Sequence, residues 1–436
     1  MKWSLRWRLS LMMFLQFAIW GAWVVYVPLY LFGGLGFKGA AVGVIFSAMP
    51  LACMISPFIG GQIADRWVPS QWFMAVANVV CGVLMLIMAS QTTLGTLYPL
   101  MLVFSLFYAP TLAVANSICF HHLKDPEKEF PYIRVWGAIG WVIALLVLWF
   151  WLHQLRPNQV EKGHVCLYLA GIFALLLGIL SPLLPHTPPA KKKEKPWAFL
   201  EALKLMKDWR FAAFIIIGVV VATQLQFYYM LATPFLGSLG IPAERAAAWT
   251  SLAQIVEAVV TLSLVFLLAR LGYRKALALG VIAWPIRYVV FALGDIGAPQ
   301  WLVIASLGLH GVCYVLFFIV GMIYINSVAP SDIRASSQSL WVFATFGVGL
   351  FIGSYFTGWI TDLFTKTVKG VGQTDYFWVF MVPVLLTVAC AVAYLKLFRE
   401  MPKAEEEAEE PSEPEQPTEP EEAAEAPEEP EQSGQS

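Results

Sequence analysis

Twelve apolar stretches of 20–29 residues follow one another along the chain, separated by short polar segments. A helix needs about 20 apolar residues to cross the roughly 30 Å of hydrocarbon in a bilayer. The stretches are continuous, whereas the strands of a membrane barrel alternate apolar with polar residues, so a barrel is excluded. The pattern predicts an all-α membrane protein with spans at 9–33, 39–64, 71–91, 94–119, 132–153, 164–184, 210–236, 243–269, 275–294, 299–327, 335–361 and 374–397.

The longest break between spans, at 185–209, divides the twelve spans into six and six. We therefore expect an N-terminal half at 1–184 and a C-terminal half at 210–398, joined by a basic cytoplasmic linker. The tail at 399–436 is rich in glutamate and proline and has almost nothing to bury, which predicts disorder.

Composition supports a membrane protein, because 59% of the residues are hydrophobic and only 13% are charged. A soluble domain has about 45–50% apolar and about 25% charged residues. The six cysteines lie in apolar stretches without a CxxC pair, which indicates small buried side chains. Paired carboxylates, a histidine-rich motif and an activated nucleophile are absent from the sequence, so we expect no enzyme, no metal and no cofactor apart from a coupling proton. We expect the protein to lie in a lipid bilayer, to bind no nucleic acid and to be a monomer.

The distribution of basic residues predicts the topology. If both termini are cytoplasmic, 20 Lys and Arg lie in inside segments and 6 in outside segments. Such an excess follows the positive-inside rule and places a multi-pass protein in the inner membrane. Arg134 and Arg287 remain, and both fall within spans. Arg287 follows Pro285, and we expect its side chain to bond carbonyls freed by the proline kink.

An internal repeat supports a duplicated half. Arg134 precedes Trp141 by the same spacing at which Arg334 precedes Trp341, 200 residues later. Two six-helix halves related by an axis along the membrane normal place a substrate site between them, near the bilayer midplane.

Glu257 is the one acidic residue that must lie within a span, about fourteen residues into an apolar run. A charged side chain at mid-bilayer costs about 2.5–3.5 kcal/mol on insertion scales, so it is rarely without a role. A carboxyl group that moves between wet and dry surroundings can take up and release a proton. Gln254 lies one turn earlier on the same face. A structural carboxylate bonded between helices is the alternative.

Several motifs, in order along the chain, resemble the nucleoside:proton symporter family of the major facilitator superfamily. They are FLQFAIWGAW at 14–23, PTL at 110–112, FPYIRVWG at 130–137, QIVE at 254–257 and IRASSQ at 333–338. The resemblance implies the major facilitator fold, with inward transport of nucleosides by proton symport and alternating access. It places substrate contacts on Arg134, Gln226, Gln254 and Glu257.

Further candidates come from residue type and position. His310 and Tyr314 share a helix face one turn apart, and a histidine within a span can relay protons beside Glu257. Other side chains able to bond or stack on a nucleoside are Tyr229, Trp141 and Gln16. The superfamily resemblance implies a gating latch at Asp65 and Arg66, and Arg334 is expected at the helix end. For Arg134 the alternative is a position at the helix end, as expected for Arg334. For Gln226 the alternative is hydrogen bonding between helices.

At pocket positions this chain departs from a bacterial member of the family: Ala138 stands for a Thr, Trp141 for a Phe, Tyr229 for an Asn, His310 for a Tyr and Val315 for an Asp. These departures leave alternatives open. One is the same fold carrying a sugar or another small polar metabolite, and another is a facilitator without proton coupling. The third is a non-transporting membrane sensor that signals through the acidic tail.

Overall fold

The structure is a computed structural model that describes residues 3–66, 68–124, 126–155, 164–188, 202–330, 333–368 and 371–401. Within these ranges, side chains are described except at 3, 57–66, 126–128, 131, 155, 334, 335, 368 and 371. Most of the predicted linker, at 189–201, and the tail beyond residue 401 therefore lie outside the described residues.

The described part of the chain forms twelve long helices, as the apolar pattern predicts. They are α1 (Trp3–Trp23), α2 (Gly39–Arg66), α3 (Ser70–Met88), α4 (Leu94–His122), α5 (Pro126–Phe150), α6 (Val165–Leu180), α7 (Trp209–Ser238), α8 (Ala243–Leu262), α9 (Leu264–Asp295), α10 (Gln300–Leu307, Leu309–Cys313, Tyr314–Ile319 and Val320–Val328), α11 (Arg334–Val342, Phe343–Gly349 and Leu350–Leu363) and α12 (Tyr376–Leu397).

Eleven helical segments among the described residues are long and apolar enough to cross a membrane. The remaining long helix is α8, which is less apolar because it carries Glu244, Arg245 and Glu257. Its 20 residues still extend about 30 Å at 1.5 Å per residue, the thickness of the hydrocarbon layer.

The predicted span at 243–269 is too long. Helix α8 ends at Leu262, and α9 begins at Leu264. Gly272 then breaks the helical path of α9 with a φ of +66°, a conformation that glycine adopts without steric cost. The apolar residues continue across the first of these breaks, so hydrophobicity alone does not locate it.

The helices pack into two groups, α1–α6 and α7–α12. In the first group α1 packs on α5 and α6, while α4 packs on α2 and α3. In the second, α9 packs on α12, α7 on α11 and α12, and α8 on α10. The groups meet where α2 contacts α11 and where α5 contacts α8.

Short elements connect or interrupt the long helices. The strands β1 (Thr365–Val368) and β2 (Val371–Thr374) form an antiparallel hairpin between α11 and α12. The segments Tyr314–Ile319 of α10 and Phe343–Gly349 of α11 are π-helical. Wide turns of this kind often occur at functional sites.

Asp208 caps the start of the second half. Its carboxylate accepts the backbone N–H of Arg210 at 2.8 Å and pairs with that residue's guanidinium at 2.6 Å. The side-chain hydrogen bonds from Arg210 hold the pKa of Asp208 below its usual value. The cap fixes the residue at which α7 begins.

The two halves are bonded to each other at one end of the bundle. We call the end that holds the start of α1 and the end of α12 the terminal end, and the opposite end the far end. At the far end the carboxylate of Asp362, on α11, accepts the backbone N–H groups of Gly39 and Ala40 at 2.6 and 2.8 Å. The hydroxyl of Thr233 on α7 also donates to the carbonyl of Val25 at 2.6 Å. These contacts close the bundle at its far end.

Candidate functional site

Glu257 lies deep in the bundle on α8, fourteen residues after the helix begins at Ala243. Its side chain is 9% exposed, and that of Gln254, one turn earlier, is 6% exposed. The side chain of Gln254 and the guanidinium of Arg134 both act electrostatically on the carboxylate of Glu257. The acid therefore has a polar neighbour in its own half and a cation in the other half.

Arg134 projects from α5 of the first half. Its Cζ atom lies 4.0 Å from the ring centre of Phe17 on α1, a cation–π contact. A methyl group built onto Gly137 would lie 2.7 Å from a guanidinium nitrogen of Arg134 and 2.7 Å from Cδ2 of Phe17, so both side chains would have to shift to admit it. The side chain remains half-buried, which leaves part of the guanidinium accessible.

Aromatic rings of the second half form a wall beside Glu257. The imidazole of His310 on α10 stacks on Tyr228 of α7, with ring centres 4.2 Å apart, and lies 6.0 Å from Tyr314. Tyr229 meets the same imidazole edge-on at 5.9 Å. Tyr229 and Tyr314 also lie within electrostatic range of the carboxylate of Glu257. Tyr314 opens the π-helical segment of α10, whose wider turn shapes this wall.

Arg287 on α9 is fully buried behind this wall. Its guanidinium bonds Nδ1 of His310 at 3.0 Å and the hydroxyl of Tyr288 at 2.9 Å. The Tyr288 hydroxyl in turn donates to the backbone carbonyl of Gln224. No carboxylate among the described residues pairs with Arg287. The expected bonds to carbonyls freed by the kink at Pro285 are therefore replaced by a side-chain network that joins α9 to α10.

The network determines the state of His310. Arginine is always charged and can only donate, so Nδ1 of the imidazole is the acceptor and the ring is the neutral tautomer with its proton on Nε2. Protonation of Nδ1 would break the bond to Arg287 and place two cations side by side. His310 is thus held as a neutral donor in this arrangement.

Two first-half candidates lie in a separate aromatic layer. The amide of Gln16 donates to the hydroxyl of Thr111 at 2.7 Å and is fully buried. Trp141 is 6% exposed and lies 5.8 Å from the ring of Trp20. The Oε1 atom of Gln16 is buried without a hydrogen-bond partner, so it keeps an acceptor free.

Gln226 lies between two helices and bonds across them. Its amide nitrogen donates to the hydroxyl of Ser354 on α11 at 2.8 Å, and the side chain is 3% exposed. Gln224 points elsewhere and bonds within α7. As the helical spacing predicts, the two amides do not share a face.

Some predicted residues cannot be placed by their side chains. The side chains of Asp65, Arg66 and Arg334 lie outside the described residues. Val315, which stands for an acid of the family, is fully buried in α10. Ala138 lines an apolar groove of about 250 Å³ between α5 and α8. In the described part of the chain, no three His, Cys, Asp or Glu side chains gather as a metal site would require.

Sequence reasoning missed three contributors to the site. Tyr228 and Tyr288 hold the imidazole and the guanidinium, and Asp362 bonds the two halves. No sequence signal distinguishes Tyr228 or Tyr288 from the other tyrosines in apolar spans. Asp362 directly follows the predicted span at 335–361, where a solvated carboxylate is unremarkable in sequence.

Known proteins share this architecture. The chain is 28% identical to the nucleoside permease NupG of Escherichia coli (strain K12) over 91% of its own length and 96% of that protein. It is 31% identical to the xanthosine permease of the same organism, over 86% and 92% of the two chains. A crystal structure of NupG matches with a TM-score of 0.80 and 27% identity, covering 91% of this chain and all of that one.

A crystal structure of a D-xylose-proton symporter matches with a TM-score of 0.69 at 14% identity, which shows a shared fold alone. The model of a family described as Nucleoside H+ symporter matches residues 1–403, which is every helix of the bundle and excludes only the acidic tail. The fold is therefore that of the major facilitators, and the chain belongs to the nucleoside H+ symporter family.

Proposed function

We propose that this chain moves a nucleoside inward together with a proton, and that Glu257 binds the coupled proton. Family membership supports nucleoside–proton symport. The observation that carries the role of Glu257 is its place in the bundle, buried on α8 with Arg134 of the other half as its charged neighbour. A carboxylate that is neutralised either by a proton or by a cation across the interface links proton binding to the arrangement of the halves.

Alternating access follows from that competition. When Glu257 is charged, attraction to Arg134 holds α8 and α5 together. When Glu257 is protonated, the attraction ends and the guanidinium becomes available to substrate oxygens. Burial of an isolated charge is costly, so each half-reaction leaves Glu257 either paired or protonated.

A nucleoside has a flat base and a ribose with hydroxyls, and the side chains around Glu257 offer partners for both. The rings of Tyr229 and Tyr314 supply stacking surfaces, while Arg134 and Gln254 supply donors to base and ribose oxygens. Trp141 and Gln16 belong to the separate aromatic layer of the first half, where the free Oε1 of Gln16 accepts a hydrogen bond from a ribose hydroxyl. We assign Gln226 to the contact with α11 and His310 to a fixed donor held by Arg287.

The orientation proposed for the bundle places the terminal end in the cytoplasm of a cell with an inner membrane. The positive-inside excess supports this orientation. The far end, closed by Asp362, then faces outward, and the substrate leaves toward the terminal end.

Uptake into proteoliposomes tests the function. We expect labelled uridine or adenosine to accumulate above equilibrium when an inward proton gradient is imposed, and only to equilibrate without one. Equal final levels with and without the gradient would identify a facilitator. No uptake of either nucleoside, with uptake of a sugar under the same gradient, would instead move the cargo to another class.

The latch at the far end yields a separate prediction. Removing the carboxylate in Asp362→Ala deletes two bonds to the start of α2, and caps of this kind contribute about 0.5–2 kcal/mol. A loss of about 1.4 kcal/mol shifts a two-state population tenfold. Spin labels at Lys38 and Lys366, one on each half, should report a larger fraction of the open far end by pulsed electron resonance.

Asp375→Ala is the matched control, because this carboxylate accepts the N–H of Trp378 at 3.3 Å within one half. It should lower stability without changing the distance between the labels. The same distance distribution in wild type and Asp362→Ala would remove Asp362 from the closure of the far end.

A further inference from the structure

A small cavity lies at the terminal end where α1 packs on α5. It has a volume of about 160 Å³ and is lined by Arg6, Trp7, Ser10 and Trp136. Trp7 is 53% exposed and the neighbouring Tyr132 is 60% exposed, so the cavity opens on the outer surface of the bundle. None of these residues belongs to the wall of rings beside Glu257.

The lining of this cavity is suited to an anion. The guanidinium of Arg6 lies 5.9 Å from the ring centre of Tyr132, and the rings of Trp7 and Trp136 meet edge-on at 5.5 Å. A guanidinium, a hydroxyl and indole N–H groups are mainly donors. The four described residues that line the cavity include no acid. Tryptophan and tyrosine at a helix end mark the level of the lipid headgroups.

An apolar path leads away from the cavity along α5. Tyr132, Trp136, Ile139 and Ile143 recur at spacings of four, three and four residues, which places them on one face. Ile139 and Ile143 line the groove of about 250 Å³ between α5 and α8. At 1.5 Å per residue, Trp136 and Ile143 are separated by about 10 Å along the helix.

The groove itself is lined by apolar side chains and by one amide, that of Gln254. Its α8 wall includes Ile255, Val259 and Leu262, which are 47%, 58% and 60% exposed on the outer surface of the bundle. A surface of this kind is solvated by hydrocarbon in a bilayer. An anion site and an apolar groove on one helix face together match the two parts of a phospholipid.

We propose that Arg6 and its neighbours bind the phosphate of an anionic phospholipid, with an acyl chain of that lipid lying in the groove between α5 and α8. Basic pockets between membrane helices bind anionic headgroups in this manner. The acyl chain would then lie at a contact between the two halves, beside the helix that carries Glu257. The bound lipid is therefore placed to influence the relative movement of the halves.

The test uses the full chain purified in detergent, with phosphatidylglycerol and phosphatidylcholine of identical acyl chains as probes. Native mass spectrometry of each mixture gives the ratio of bound lipids. We expect wild type to prefer phosphatidylglycerol, and Arg6→Gln to reduce that preference about tenfold, the factor that a lost charge-assisted bond of about 1.4 kcal/mol gives. Arg8→Gln is the control, because Arg8 donates to the carbonyl of Leu183 at 3.2 Å.

A second variant tests the groove independently of the headgroup. Ala258→Phe fills the groove, so it should weaken binding of both lipids while the preference for phosphatidylglycerol persists. An unchanged preference in Arg6→Gln would overturn the headgroup site. If inorganic phosphate displaces phosphatidylglycerol from wild type and Ala258→Phe has no effect, the cavity binds a free anion and the lipid assignment is wrong.

Discussion

Glu257→Gln should abolish nucleoside accumulation that is driven by a proton gradient. A gradient of two pH units stores about 2.7 kcal/mol per proton, which sustains about a 100-fold concentration ratio for a one-to-one symporter. Glutamine has nearly the same shape as glutamate, but its amide binds no proton. Uptake by the variant should therefore stop at equal concentrations on both sides.

The same variant should still exchange substrate. A neutral amide resembles the protonated acid, so the step that carries bound nucleoside across the membrane does not require proton release. We expect counterflow of labelled uridine to persist within about tenfold, since an amide-for-carboxyl change at one bond costs about 0.5–1.5 kcal/mol. Loss of accumulation together with persistence of counterflow is the signature of a coupling group.

Glu244→Gln is the matched control. Glu244 lies in the first turn of α8, at the far end and thirteen residues from Glu257. Its removal should leave accumulation unchanged. Accumulation by Glu257→Gln equal to wild type would show that another group couples the proton. Loss of counterflow as well would assign Glu257 to substrate binding instead.

The sequence predicts the number of spans and the depth of Glu257, but not where the eighth span ends. Apolar length is imposed by the bilayer, so the twelve helices could be read from hydrophobicity. Glu257 was identifiable because a single carboxylate in such a stretch is costly. The family assignment, made from motifs of a few residues each, is confirmed by a match that covers residues 1–403.

The network around Arg287 could not be predicted, because it depends on which side chains meet across α7, α9 and α10. Arg287 and His310 are 23 residues apart, and only packing brings their nitrogen atoms within 3.0 Å. The same limit applies to Gln226. The family resemblance made Gln226 a candidate for the cavity, whereas in the structure its amide nitrogen donates to the hydroxyl of Ser354 on α11.

The contact between α8 and α10 depends on Gly311, and Gly311→Ala should be strongly damaging. A methyl group built at this position would lie 2.7 Å from the carbonyl carbon of Val256 and 2.8 Å from Cα of Glu257. Both are backbone atoms, so the helices must separate to admit the methyl. Overpacking of this kind costs about 1–3 kcal/mol. The displaced backbone carries Glu257, so we expect a lower thermal midpoint in detergent and a loss of accumulation.

Gly308→Ala, three residues earlier on α10, isolates the effect of close backbone packing. Its added methyl would meet first a side-chain atom, Cγ2 of Val256, at 3.1 Å. A side chain can rotate away, and alanine is favoured over glycine inside a helix by about 1 kcal/mol, so this variant should keep wild-type stability and transport. Equal stability and transport in both variants would show that α8 and α10 tolerate a wider separation. The position of Glu257 would then depend on its polar neighbours and not on the helix contact beneath it.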